Sequence, residues 1–212
     1  MEPEFWHGRW EREEIAFHEG DANQLLADYF ERLRLEEKSR IFVPLCGKAY
    51  DLWWIAEQGH EVVGIELNES AVADFFRSHE LEHTVSNLPT LVCYESDGIR
   101  IYVGDFFDLT RQALGSIDAI YDRAALVALP EDMRPRYAEH LTSITATAQQ
   151  FLVTFDYDQS QTAGPPFSVT RDEIADLYGE SYSAELVASI DISGPLAGRC
   201  SGEENAWLLT RK

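Results

Sequence analysis

The sequence predicts an α/β fold, a mainly parallel sheet with helices packed on both faces. Three observations carry that expectation. Short apolar runs alternate with amphipathic helical stretches from residue 40 onward, and near-continuous apolar strands are the mark of a sheet buried on both sides. Glycine- and proline-bearing turns separate the runs. Two further strands close the chain without a helical stretch between them, which calls for antiparallel pairing at one edge.

The first forty residues read as helical and amphipathic. Over residues 18–34, Leu25, Leu26, Tyr29, Phe30 and Leu33 repeat on one helical face. Residues 40–45 (RIFVPL) form the first apolar run and lead into a turn at Gly47. Residues 48–58 are expected to be helical with Leu52, Trp53, Ile55 and Ala56 inward, stopped at Gly59. Glu61–Glu66 (EVVGIE) is a second strand, and residues 70–79 a second helix burying Val72, Phe75 and Phe76. Residues 91–95 and Ile99–Val103 flank Ser96, Asp97 and Gly98, a hairpin signal. Residues 116–122 and 150–156 are further buried strands with a helix over 134–147 between them. A Gly-Pro-Pro loop, a helix over Arg171–Tyr178 and strands near 184–192 and 206–210 complete the pattern. No repeat, low-complexity tract or linker divides the chain, so residues 1–212 are expected to form one domain, with 1–35 as an N-terminal arm.

Composition narrows the function classes. With 45% hydrophobic and 26% charged residues in 212, the chain can bury one sizeable core. A net charge of −21 with no basic stripe disfavours nucleic acid and anionic membranes as partners; keeping the protein soluble is the simplest use of such a surface. No run approaches the roughly 18 apolar residues of a membrane span, and the charged N-terminus lacks a signal-like stretch. The expected location is the cytoplasm. Cys46, Cys93 and Cys200 are odd in number and far apart, so reduced thiols are expected rather than disulfides or structural zinc. No spacing of metal ligands stands out, and no metal is expected.

In open sheets of this kind ligands sit beyond the carboxyl ends of the strands, at the point where strand order reverses. Several candidate residues fall there. Gly47, after the first strand, lets the backbone pass close to a ligand; a tight strand-to-helix turn would need it too. The segment has one glycine where a pyrophosphate cradle has three. Glu66 ends the second strand nineteen residues later, and a carboxylate there can accept from both vicinal hydroxyls of a ribose. Together they favour a nucleoside cofactor without a diphosphate, of which S-adenosylmethionine is the commonest. Asp105 and Phe106 suit either an adenine subsite or a helix cap and a core aromatic. Arg123 could bind a carboxylate or a polarised substrate through its planar fork of donors, or neutralise Asp122. Trp6, Trp10 and Phe17 on a charged arm serve as core packing or as a lid over the cofactor. His18 reads as a capping or structural histidine ahead of a general base, and Cys46 as a small turn residue ahead of a nucleophile.

These residues also sit in blocks that resemble the thiopurine S-methyltransferase family, its bacterial branch above all. The blocks are Trp10, Ile15 to His18 and Leu25-Leu26; Val43 to Lys48, with its specific Leu-Cys-Gly-Lys turn; Gln58 to Glu66; Asp122 to Ala128; and Gly164 to Phe167. The resemblance runs in order from residue 10 to 167 and is loose over the last forty residues. It implies a Rossmann-like class I S-adenosylmethionine-dependent methyltransferase fold with a seven-stranded sheet and an N-terminal helical arm. It implies methyl transfer to aromatic or heterocyclic thiols such as thiopurines, with selenium and tellurium compounds as further acceptors, by a monomer acting on small molecules. It places Trp6, Trp10, Leu45, Gly47 and Glu66 at S-adenosylmethionine, Asp105 and Phe106 near its adenine, Arg123 at the junction of cofactor and substrate as the catalytic residue, and Phe17 toward the substrate. The competing readings are a nicotinamide-dependent oxidoreductase on a similar sheet and a non-catalytic protein that binds S-adenosylmethionine.

Overall fold

The structure is a computed structural model that describes residues 3–12, 14 and 20–212. Alternation of α and β elements begins after two N-terminal helices, α1 (Pro3–Glu11) and α2 (Gln24–Tyr29). Then come β1 (Arg40–Val43), α3 (Tyr50–Glu57), β2 (Glu61–Glu66), α4 (Glu69–Ser78), β3 (Thr84–Asn87), β4 (Val92–Ser96) and β5 (Ile99–Val103). The second half holds α5 (Arg111–Leu114), β6 (Ala119–Asp122), α6 (Arg134–Ile144), β7 (Gln149–Tyr157), α7 (Arg171–Tyr178), β8 (Tyr182–Asp191), α8 (Gly194–Ala197) and β9 (Gly202–Arg211).

Among the described residues nine strands form one sheet in the order β3-β4-β5-β2-β1-β6-β7-β9-β8. The five central strands, β5 to β7, are parallel. β9 runs antiparallel between β7 and β8, as the closing strand pair predicted. The expected seven strands are therefore corrected to nine. β4 and β5 form the hairpin expected over residues 91–95 and Ile99–Val103, and β3, which no sequence signal marked, adds antiparallel at its outer edge. β3 escaped prediction because all four of its residues are exposed, so it carries no buried, alternating signal.

Strand side chains alternate between two cores. Phe42, Val63, Ile65, Ile120 and Leu152 face Tyr137 and Leu141 of α6 and Ile174 and Tyr178 of α7. Ile41, Val43, Val62, Tyr121 and Phe151 face Leu25 and Leu26 of α2, Leu52 and Ile55 of α3 and Phe75 and Phe76 of α4. Each such side chain, fully buried, contributes about 1.5–3 kcal/mol, so both faces need their helices.

Local chemistry sets the boundaries. The helix expected over 18–34 is shorter: Asn23 caps α2 by accepting from Leu26 N. The chain then tightens into a 3-10 turn over Phe30–Leu33 and ends on Arg34 at φ 49°. Buried Asp51 accepts from Asn23 N at 2.7 Å and from Tyr121 Oη at 3.0 Å, tying α2 to α3 and β6. The helix predicted over 134–147 stops at Ile144, because Ala146 and Thr147 take positive φ. Among the described residues no helix is long and apolar enough to cross a membrane.

Candidate active site

β1 is where strand order reverses: the chain passes to β2 on one side and later to β6 on the other. A cavity of about 910 Å³ lies over this edge, lined from α1, from the loops after β1, β2, β5, β6 and β7, and from the start of β9.

The turn after β1 is built by backbone conformation. Leu45 and Gly47 both have positive φ, 46° and 54°, a region costly for a side chain and open to glycine. Cys46 N donates to Ile65 O at 2.9 Å, extending the contact between β1 and β2 past the last paired residues. A Cβ on Gly64 would stand 2.7 Å from Cys46 Sγ, so the glycine within β2 makes room for the turn. Burial raises the Cys46 thiol well above its ordinary range, and the nearby Glu66 carboxylate adds to the rise; a thiol so held is a small core group and a poor nucleophile.

Glu66 ends β2, only 7% exposed. One carboxylate oxygen accepts from Gly47 N at 2.8 Å and the other from Asn68 N at 2.9 Å. Burial raises its pKa, and these backbone donors pull against that rise. A carboxylate has about four acceptor positions, so the group keeps acceptor capacity beyond its backbone donors. Asn68 in turn caps α4 through Ser70 N and Ala71 N and lies 3.4 Å from His7 of α1.

Beyond β5, Asp105 is exposed and accepts from Phe107 N at 2.9 Å. Phe106 is buried against Tyr137 and His140, with ring centroids 5.0 Å apart in each case. Both structural roles weighed for this pair are therefore present, and both residues also line the cavity. Their neighbour Phe107 lies under the Arg136 guanidinium, 3.7 Å from its ring centre.

Asp122 and Arg123 part company. Asp122 is fully buried and accepts from Leu126 N at 3.1 Å and Tyr137 Oη at 2.7 Å. Burial pushes its pKa up to about 6 despite those donors. Arg123 lines the cavity instead, and Ala124 after it turns at φ 62°. Arg134, 3% exposed, donates to Leu129 O and Ser168 O and pairs with Glu173 at 2.6 Å. It thereby fastens the loop after β6 to the loop after β7.

α1 brings Trp6 and Trp10, one helical turn apart, to the cavity. Trp10 stands 3.2 Å from where a Gly47 Cβ would be. Lys48 lies 5.9 Å from its ring and pairs with Asp74 at 3.3 Å.

Trp6, Trp10, Leu45, Gly47, Glu66, Asp105, Phe106 and Arg123 thus share one cavity. Phe17 and His18 lie outside the described residues. Sequence reasoning missed the far wall, which holds Phe155, Pro165, Pro166, Leu196, Arg199 and Glu204. Only topology reveals it: β9 runs antiparallel to its neighbour β7, so its first residues reach the edge where the parallel strands end. Among the described residues no group of three or more His, Cys, Asp or Glu is placed to hold a metal.

The family model for thiopurine S-methyltransferase matches residues 1–212. The chain belongs to the thiopurine S-methyltransferase family. A thiopurine S-methyltransferase of Xanthobacter autotrophicus is 46% identical over 212 residues, the whole of both chains. One of Gluconobacter oxydans is 47% identical over 203 residues, 96% of this chain and 92% of its own. Solved structures share the fold at low identity. The 1,6-didemethyltoxoflavin N1-methyltransferase of Burkholderia thailandensis, solved with 1,6-didemethyltoxoflavin and S-adenosylhomocysteine, is 15% identical. It superposes with a TM-score of 0.67 over 98% of this chain and 87% of that one. A TehB-like methyltransferase of Corynebacterium glutamicum is 16% identical and gives 0.59 over 99% and 98%. Membership of the thiopurine S-methyltransferase family sets aside the nicotinamide-dependent oxidoreductase.

Proposed function

We propose that this protein transfers the methyl group of S-adenosylmethionine to the sulfur of aromatic and heterocyclic thiols. The observation that carries the reading is Glu66: a buried carboxylate at the switch-point edge, fixed by backbone N–H groups and with acceptor capacity left for a ligand. That is the acceptor set two vicinal ribose hydroxyls need. The turn beside it has one glycine and spends its Gly47 N–H on Glu66, a poor pyrophosphate cradle. The residues fit a nucleoside without a diphosphate.

S-adenosylmethionine supplies an electrophilic methyl on a positively charged sulfur. Glu66 binds the ribose, and Asp105 with the aromatic pair Phe106 and Phe107 borders the adenine. Leu45 and Gly47, which line the cavity after β1, would hold the cofactor's amino-acid end. Trp6 and Trp10 of the arm, residues 1–35, cover this half as a lid and exclude water. Exclusion of water favours a transfer in which opposite charges are neutralised, and alignment of the two sulfurs supplies most of the remaining acceleration. Arg123 is the catalytic residue, a fixed cation that favours the acceptor thiolate. Aromatic thiols with electron-withdrawing substituents are ionised near neutrality, so for these acceptors the basicity demanded of the protein is small. Selenium and tellurium compounds are further acceptors of the same soft, polarisable class.

The cavity is of a size for small molecules, and the protein is read as a monomer acting on them. The charge of −21 accords with a cytoplasmic enzyme that does not engage nucleic acid. Titration calorimetry with S-adenosylmethionine and with a nicotinamide dinucleotide tests the cofactor. Binding of the first and not the second is expected; the reverse order of affinity would end the proposal.

A further inference from the structure

We propose that Glu204 accepts the ring N–H proton of heteroaromatic acceptors and so makes the protein selective for thiones over simple benzenethiols. This rests on the methyl-transfer reading and specifies its acceptor. Glu204 is 8% exposed, whereas its neighbour Glu203 is exposed; the carboxylate is turned inward, and it lines the cavity. In the sheet it pairs with Phe155 of β7, which lines the cavity too. An aromatic face and a buried carboxylate therefore come from adjacent strands at one wall.

Position assigns this wall to the acceptor. Glu66 is on β2 and Glu204 on β9, with β1, β6 and β7 between them. Four strand spacings of about 4.8 Å separate them by roughly 19 Å along the sheet. With its ribose at Glu66, the cofactor would occupy the part of the cavity at β2, β1 and β6, which leaves the part at β7 and β9 for the acceptor. Burying a carboxylate at a ligand-facing wall is costly unless it is hydrogen-bonded, and with about four acceptor positions it can take a ring N–H besides contacts within the fold.

The acceptor chemistry matches. A thiol on a carbon next to a ring nitrogen exists largely as the thione, with its proton on nitrogen. As that proton passes to the Glu204 carboxylate, the electron pair of the N–H bond shifts through the ring to the exocyclic sulfur. The sulfur forms the new bond to the methyl carbon while the bond from that carbon to the donor sulfur breaks, its electron pair staying with the donor. The products are a neutral methyl thioether and a neutral thioether from the donor, and Glu204 then returns the proton to water.

The test uses pyridine-2-thione, which carries the ring N–H, and 4-nitrobenzenethiol, which lacks one and is ionised at neutral pH. Glu204→Gln is expected to lower kcat/KM for pyridine-2-thione about 100-fold, the low end of general-base contributions. Turnover of 4-nitrobenzenethiol, which has no proton to give, should not fall, and an unaltered circular dichroism spectrum shows that the variant is folded. A second arm needs no turnover: in the wild-type complex with S-adenosylhomocysteine, bound pyridine-2-thione should show the absorption of its thiolate, and in Glu204→Gln that of the thione. Equal losses on both acceptors, no loss on either, or a thione spectrum in the wild-type complex would each overturn the proposal. If wild-type protein methylates neither acceptor, the methyl-transfer reading fails, and the spectrum alone still decides the role of Glu204.

Discussion

Asp122 should contribute more stability in mild acid than at alkaline pH. Its carboxyl is fully buried, and burial moves its pKa from 3.8 to about 6. Because the folded-state value is the higher one, the associated stability is fully present below 3.8 and is lost as pH rises through about 6. The whole gap amounts to about 3 kcal/mol at ~1.36 kcal/mol per pH unit. Between about pH 8 and about pH 5 the recoverable part is about 1.4 kcal/mol, since the carboxyl is then mostly protonated in the folded chain and ionised in the unfolded one. Asp122→Asn cannot titrate, and its amide oxygen can still accept from Tyr137. Urea unfolding of both proteins at the two pH values isolates this group, because every other titration cancels in the difference. The stability of wild type relative to the variant should rise by about 1.4 kcal/mol on going to about pH 5. A difference unchanged by pH, or one that falls, would refute the assignment of a buried, proton-binding carboxyl to this position. The outcome bears on the site, since Asp122 holds Leu126 N and thereby the turn that presents Arg123.

Glu66→Ala should weaken S-adenosylhomocysteine binding by about 10- to 100-fold, the value of one charged hydrogen bond at ~1.5–3 kcal/mol, as read by calorimetry. It should also lower Tm, because Gly47 N and Asn68 N lose their acceptor; unaltered affinity would remove Glu66 from the ribose. Gly47→Ala must adopt φ 54° and place a methyl 3.2 Å from Trp10. It is expected to destabilise by about 1–2 kcal/mol and to alter Trp10 fluorescence, and a neutral variant would argue against the close packing of α1 on the turn. Arg134→Met leaves Leu129 O, Ser168 O and Glu173 without their common donor. A loss of about 2–3 kcal/mol is expected by urea unfolding, below the ~3–5 kcal/mol of a fully buried pair because Glu173 is 23% exposed.

How much of this was legible beforehand divides along physical lines. Strands with two buried faces, such as Glu61–Glu66, announce themselves as unbroken apolar runs, and their pairing order follows from the alternation with helices. β3 has no buried face and left no trace. Glu66 and Gly47 were legible because a short, local spacing connects them. Their mutual hydrogen bond was not, since it depends on the positive φ of Leu45, a residue with no sequence preference for that conformation. Asp122 and Arg123 are adjacent in sequence and could be read as one ion pair; only the turn at Ala124 and the reach of Tyr137 show that they face different ways. Glu204 is the clearest case. In the run Gly-Glu-Glu-Asn it looks like surface charge, and what makes it a cavity residue is the direction of β9.

Methyl transfer to sulfur at the edge of β1 and β6, with Arg123 favouring the thiolate as proposed, can be read from the product. Incubation with S-adenosylmethionine labelled on the methyl carbon, and 4-nitrobenzenethiol as acceptor, tests it most directly. Labelled methyl thioether should appear with wild-type protein and about 100-fold more slowly with Arg123→Ala, near the loss seen when one charge-stabilising donor is removed from a site. Cofactor binding without any labelled thioether from a panel of aromatic thiols would contradict the account.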